Sequence, residues 1–152
     1  MKGIASTAPL RGTVVLPGDK SISHRAALLG AIATKGVEVT NYSEGKDCVS
    51  TLTCLEKLGV RVLRGQESVS VERGRAFFDP DEPLDLGNSG TTARTLCGLL
   101  AGMPGLYAVL TGDESLRRRP LRRVVDPLRV MGARIDGRHG GALLPLSVRG
   151  TR

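Results

Sequence analysis

Lys20 and Arg25 stand five residues apart around a segment that can open a helix, and that combination suits the capture of an anion. Pro17 and Gly18 end the apolar run Val14-Val15-Leu16, and Asp19 or Ser21 can cap the helix that follows. A helix start presents unpaired backbone N–H groups and the positive end of the dipole, so a Lys and an Arg beside it favour a carboxylate or a phosphate. The plain alternative is a capped surface helix with two solvated cations, and the residues of this one stretch leave both readings open.

Two further polar stretches have the same flavour. Asp85-Leu-Gly-Asn-Ser-Gly-Thr-Thr-Ala-Arg94 offers glycines for close backbone approach and Asn, Ser and Thr for caps and hydroxyl donors. A ligand oxygen near Gly90 would meet a backbone N–H with no side chain in the way, although helix capping alone also accounts for such a loop. Leu110-Thr-Gly-Asp-Glu-Ser-Leu-Arg-Arg-Arg-Pro-Leu-Arg-Arg123 carries five arginines in seven residues. Arg122 and Arg123 fall on a helix with the apolar positions Leu121, Val124, Val125 and Leu128, so most of the cluster reads as a solvated face. One or two arginines nearest the loop are left to point into a site.

These loops must be held by regular elements. A strand is expected over 10–16, a helix from Ala26 to about Thr34, a strand over 37–41 and a helix over 47–58 with Cys48, Leu52, Leu55 and Leu58 on one face. Strands over 60–63 and 68–72 form a hairpin by pattern, and 73–86 reads as a loop or edge region. The order then returns: a helix over 89–103, a strand over 106–110, a helix over 120–131 with Pro120 at its first position, a strand over 132–135, and a strand over 144–148 after the Gly-rich turn 137–141. The recurrence extends to residues. Arg25 and Gly36 fall on Arg94 and Gly105 at an offset of 69, Leu58–Val62 on Met131–Ile135 at 73, and Val69–Val71 on Leu146–Val148 at 77. Two copies of one unit account for this, with four-residue insertions in loops.

The 152 residues suffice for an ordinary core, and 40% hydrophobic with 24% charged residues is a globular composition. Aromatic content of 3% with no Trp removes the usual base-stacking platforms, while a net charge of +7 favours anionic partners. Cys48, Cys54 and Cys97 have no C-x-x-C spacing and read as reduced, buried thiols of a cytoplasmic protein. Neither an apolar leader near Met1 nor an 18-residue apolar run occurs in this sequence.

Pro17–Ala26, Leu86–Arg94 and Leu110–Asp113 with Arg119-Pro120 together resemble three signatures of the 5-enolpyruvylshikimate-3-phosphate synthases, the 3-phosphoshikimate 1-carboxyvinyltransferases, in order and spacing. The likeness runs from about Leu10 to Gly150. It implies repeated βαβαββ units of an inside-out α/β barrel, with unit one about 10–74 and unit two about 84–150. A third unit of the first domain, and the whole second domain, are then missing from this sequence. The activity implied is transfer of the carboxyvinyl group of phosphoenolpyruvate to the 5-hydroxyl of shikimate 3-phosphate, releasing phosphate, on the way to chorismate and the aromatic amino acids. By the resemblance, Lys20 is the catalytic residue and reaches phosphoenolpyruvate and the reacting hydroxyl. Ser21 and Arg25 hold shikimate 3-phosphate, Gly90 and Arg119 contact phosphoenolpyruvate, and Thr91 faces the substrates. No metal or organic cofactor, nucleic acid or membrane is implied. The complementary remainder of the enzyme is needed, the full-length protein is expected to be a monomer, and the 152-residue chain alone is expected to be inactive. Glyphosate is the family's inhibitor at the phosphoenolpyruvate site, beside Gly90.

The sequence departs from the pattern at Thr95, where many members have Pro, and at His24, where some have Asn. His24 reads as a hydrogen bonder behind the site. Two other readings compete with this one. A UDP-sugar enolpyruvyl transferase would carry a reactive Cys between Thr111 and Arg119, and none is there. A basic nucleic-acid-binding module would need Arg117–Arg123 as one continuous exposed stripe.

Overall fold

The computed structural model describes residues 9, 11–74 and 76–151. Two antiparallel hairpins, each with a third strand on one side, are joined by three helices that pack against one another. The first helix, α1 (Lys20–Ile32), leads into β1 (Val37–Thr40), and α2 (Lys46–Lys57) leads into β2 (Arg61–Arg64) and β3 (Ser68–Glu72). The first sheet has the order β1-β3-β2, with Val37 opposite Val71 and Val62 opposite the same residue on the other side. In the second half β4 (Leu84–Asp85), α3 (Gly90–Ala101), β5 (Tyr107–Thr111), α4 (Arg122–Val130), β6 (Arg134–Gly137) and β7 (Leu143–Arg149) make a sheet of order β4-β5-β7-β6. The hairpin connectivity is thus the same in both sheets, with β5, β7 and β6 in the places of β1, β3 and β2.

One core runs through both halves. The helical spacing in α2 buries Cys48, Leu52 and Leu55, and Leu58 follows at its end, all on the side facing the other helices and β2. From α3, Ala93, Leu96, Cys97 and Leu100 join the same cluster, as do Leu110, Leu146 and Val148 from the second sheet. The strand residues alternate as a half-buried sheet requires, with Leu144, Leu146 and Val148 inward along β7. Cys97 is buried on the apolar side of α3, as its spacing implies.

Four expectations are corrected. No strand forms over the described part of 10–16 (Leu10 lies outside the described residues), and Val14, Val15 and Leu16 are 78%, 90% and 71% exposed. One backbone difference from the other copy is visible. There Leu84-Asp85 pairs in parallel with β5, and the next residue, Leu86, donates its N–H to Thr111 O at 3.0 Å. At the same offset of 69 residues the first copy has Pro17, which owns no N–H. Among the described residues, the segment's hydrogen bond to the end of β1 is Asn41 Nδ2 donating to Leu16 O at 3.4 Å. The first unit is therefore αβαββ and the second βαβαββ.

Second, α1 begins at Lys20, not Ala26, because Asp19 caps it by accepting from Ile22 N at 2.7 Å. Third, α4 begins at Arg122, so Pro120 lies outside it. Leu121 is buried and uses its own N–H to reach Ala142 O at 2.9 Å, while its carbonyl accepts the first helical bonds from Val124 and Val125. Residues 116–118, ahead of it, form a short 3-10 turn. Fourth, β6 ends two residues later than expected, at Gly137, and the Gly-rich turn after it runs through His139 and Gly140 in the left-handed region (φ 51 and 66).

Candidate anion site at three helix starts

The starts of α1, α2 and α3 meet. Lys20 Nζ, in the first turn of α1, pairs with the Asp47 carboxylate in the first turn of α2. Thr51 Oγ1, one turn into α2, lies 2.7 Å from Thr92 Oγ1 in the first turn of α3, and both hydroxyls can donate to Asp47 O at 3.3 and 3.5 Å. Three positive dipole ends are thereby brought to one side of the molecule, beside a lysine. The Lys20 side chain keeps 54% of its exposure and Asp47 24%, so the pair faces solvent at the rim rather than lying inside the core.

The approach into α1 depends on a close backbone contact. A Cβ on Gly18 would sit 1.7 Å from Asn41 O, so only glycine lets the chain pass there into the Asp19 cap. Ser23 Oγ donates to Asp19 O at 2.8 Å and accepts from Ser43 N at 3.0 Å, which anchors the first turn of α1 to the loop after β1. In α3 the cap is Ser89, fully buried, accepting from Thr92 N at 3.1 Å.

Arg119 reaches the same place from the third loop. Its guanidinium donates to Asn88 Oδ1, and Asn88 Nδ2 donates to the Asp113 carboxylate at 2.6 Å. Asp113 also accepts from Leu116 N at 2.7 Å. The Leu116 N–H first, then Asn88, with Arg119 adding to them, hold the Asp113 carboxyl below its ordinary value. Around Gly90 the guanidinium groups close in: a Cβ there would stand 2.7 Å from Arg94 Nη1 and 3.2 Å from Arg119 Nη1. Arg94 itself donates to Gly90 O at 2.8 Å.

Of the residues singled out from the sequence, Lys20 lies on the Asp47, Thr51 and Thr92 contacts and Arg119 on those of Asn88 and Asp113, with Gly90 against Arg119, and the two sets meet along the chain at Asn88–Thr92, which includes Thr91. Ser21 and Arg25 share a neighbouring face of α1, four residues apart, and both are exposed. No described contact joins them to Gly90 or Arg119. Sequence reasoning passed over Asp47, Asn88, Asp113, Thr51 and Thr92 as ligand-holding groups. Asn88 and Asp113 were within reach, since both sit in the polar loops that drew attention. The partnership of Asp47 with Lys20 had no local signal.

Three of the five arginines have partners among the described residues. Arg119 turns to Asn88, Arg118 pairs with Glu114, and Arg122 donates to His139 O at 3.2 Å. The cysteines are buried and free, and burial pushes the Cys54 thiol up to about 12 and the Cys97 thiol to about 11, with Cys48 also raised. Such thiols are poor nucleophiles. Ellman's reagent at pH 8 is expected to find no rapidly reacting thiol in the native chain and three after denaturation. A fast native equivalent would contradict the burial. Among the described residues no group of three His, Cys, Asp or Glu side chains is placed to hold a metal ion, and no helix is long and apolar enough to cross a membrane.

Helices gathered by their N-termini, with antiparallel strands of the same connectivity in each copy of a repeated α/β unit, define part of the enolpyruvyl transferase fold. The model of the EPSP synthase (3-phosphoshikimate 1-carboxyvinyltransferase) family matches residues 4–152. The chain is 57% identical over 143 residues to the 3-phosphoshikimate 1-carboxyvinyltransferase of Roseiflexus castenholzii, covering 93% of this chain and 33% of the relative. It is 53% identical over 157 residues to that of Chloroflexus aurantiacus (strain ATCC 29366 / DSM 635 / J-10-fl), covering 100% and 36%. A solved EPSP synthase from Acinetobacter baumannii superposes with a TM-score of 0.84 at 38% identity, over 91% of this chain and 32% of that one. The chain belongs to the EPSP synthase family, and it spans about a third of the length of the curated relatives it matches.

Proposed function

We propose that this chain forms one wall of a cleft in which phosphoenolpyruvate and shikimate 3-phosphate are joined, the carboxyvinyl group passing to the 5-hydroxyl with release of phosphate. The observation that carries the reading is the meeting of three helix starts with Lys20 and Arg119, in a chain of this family. Both substrates are polyanions, and bringing them together requires cationic groups and backbone donors fixed in advance. Lys20 is assigned to phosphoenolpyruvate and the reacting hydroxyl, and serves the proton movements of the addition. Gly90 and Arg119 hold phosphoenolpyruvate, Thr91 faces the substrates, and Ser21 with Arg25 receives shikimate 3-phosphate on the adjoining face of α1.

The domain division is part of the same proposal. Units one and two, about 10–74 and 84–150, are completed by a third unit and by a second domain in a full-length polypeptide. The exposed apolar positions Ile22, Leu29 and Ile32, spaced along one side of α1, are a surface that a further unit would cover. In this reading the complete protein is a cytoplasmic monomer acting on small molecules, with no nucleic-acid or membrane partner and no cofactor.

The test is a titration of the 152-residue chain with shikimate 3-phosphate and with short duplex DNA, together with a turnover assay. A metabolite response, little or no turnover, and no tight DNA binding are expected. Robust turnover by this chain alone would overturn the division of labour with the remainder. Tight, salt-sensitive DNA binding without any metabolite response would overturn the function.

A further inference from the structure

His24 is a fully buried titratable side chain that substrate binding leaves without a role. It follows Lys20 by one turn of α1, so the two side chains leave the helix on the same side. Its Nδ1 lies 2.7 Å from Thr51 Oγ1 on α2, Thr51 Oγ1 lies 2.7 Å from Thr92 Oγ1 on α3, and Thr92 Oγ1 lies 2.6 Å from the Ser89 cap. Four side chains therefore form one relay that crosses all three helices directly behind the anion site. The far nitrogen of the ring, Nε2, has no hydrogen-bond partner among the described residues.

Each hydroxyl has a single proton to give. The relay is satisfied if Ser89 donates to Thr92, Thr92 to Thr51, and Thr51 to His24 Nδ1, with the ring proton on Nε2. It is also compatible with a ring that donates from Nδ1 to Thr51. The first arrangement needs a neutral imidazole, because Nδ1 accepts there. An imidazolium would place its charge in a fully buried position near Lys20, which is costly.

We propose that His24 is a positioning residue whose neutral ring, acting through Thr51 and Thr92, sets the first turn of α1 with Lys20 against the start of α3 with Gly90 and Thr91. Protonating the ring releases that register. The inference rests on the reading that Lys20 and Gly90 line one substrate site. The charged groups acting on the ring are Lys20 on its own helix and Asp47 on α2, while α3 contributes only the Thr92 and Ser89 hydroxyls to the relay. Burial first, and Lys20 second, hold His24 below its ordinary value of 6.5, with Asp47 opposing. As pH falls below 6.5 the unfolded chain takes up a proton that the folded chain refuses. Stability therefore declines with falling pH from about 6.5 until the lower folded pKa is reached.

Asparagine is the informative substitution. Its Oδ1 and Nδ2 are two bonds from Cβ, as Nδ1 of His is, so His24→Asn retains a partner for Thr51 and deletes the unpartnered Nε2. The experiment is an acid titration of the 152-residue chain followed by NMR of the ring nitrogens and backbone amides, with thermal stability measured at each pH. In the wild type the Lys20, Thr51, Gly90 and Thr92 amides are expected to move with the His24 midpoint, below pH 6.5, and thermal stability to fall in the same window. His24→Asn should keep the neutral-pH positions of the Gly90 and Thr92 amides and lose both the titration and the stability change. His24→Leu, which removes the bond to Thr51, should displace those amides at every pH. Gly90 and Thr92 amides that stay still while His24 titrates, or a pH profile unchanged in His24→Asn, would overturn the proposal. Since no substrate is present, the outcome is independent of the functional reading. That reading fails alone if the relay titrates as expected but phosphoenolpyruvate leaves the Lys20 and Gly90 signals unmoved.

Discussion

Replacing Lys20 with Met, in a polypeptide that also carries the remaining two thirds of the relatives' length, is expected to lower kcat by roughly 10²- to 10⁴-fold. That is the range for a group that moves a proton or stabilises developing charge at a fixed position. Met keeps most of the stem and removes only the ammonium. The partner of that ammonium in the free protein is Asp47, and the pair is too exposed to contribute much to folding. Thermal stability should therefore change little while turnover collapses. Steady-state kinetics beside a thermal melt checks this. Wild-type kcat in the variant, or a loss of activity that simply follows a loss of folding, would remove Lys20 from the chemistry.

The second large effect is expected at Gly90. An added Cβ would press on Arg94 Nη1 at 2.7 Å and on Arg119 Nη1 at 3.2 Å, and both are the ends of long side chains that can give way. Gly90→Ala is therefore tolerated by the fold and felt by the site. Crowding of this kind costs about 1–3 kcal/mol, which is roughly a 5- to 150-fold rise in the KM for phosphoenolpyruvate. Inhibition by glyphosate should weaken in parallel. Alanine is a better helix residue than glycine, so the melting temperature should hold or rise in the same variant. Equal inhibition of wild type and Gly90→Ala would sink the assignment of this position.

Much of the scaffold was legible in the sequence because it rests on short-range signals. The recurrence of Cys48, Leu52, Leu55 and Leu58 marks the buried side of α2 and its end, and Asp19 and Ser89 are caps of a kind that residue type alone announces. The repeated order of elements was readable from residue offsets, and the two sheets share their hairpin connectivity. What stayed hidden is what crosses the chain. Thr51 and Thr92 are 41 residues apart and look like surface hydroxyls on their own helices, yet they meet in a dry centre. Asp47 reads as an ordinary first-turn acid until α1 lays Lys20 against it. Periodicity ranks apolar faces, and it carries no information about which polar groups share an interior.

The expected strand over 10–16 failed for the opposite reason, since the decisive signal was local and was read for another purpose. Pro17 is a stop after an apolar run. It is also the residue whose counterpart, Leu86, supplies a bond that ties the second copy's leading strand. A single backbone donor separates the two outcomes.

That difference has a consequence for the duplicated architecture. The gap opposite Asn41 is covalent in origin, set by a ring closed on the backbone nitrogen, and not by the quality of any packing. Salt, temperature and ligands tune non-covalent contacts, and none of them can restore a proton that the residue never had. The two halves are thus copies in wiring but not in tethering: the loop before α3 is held by a backbone bond to its sheet, while the loop that delivers Lys20 is held through the side chains of Asn41 and Ser23.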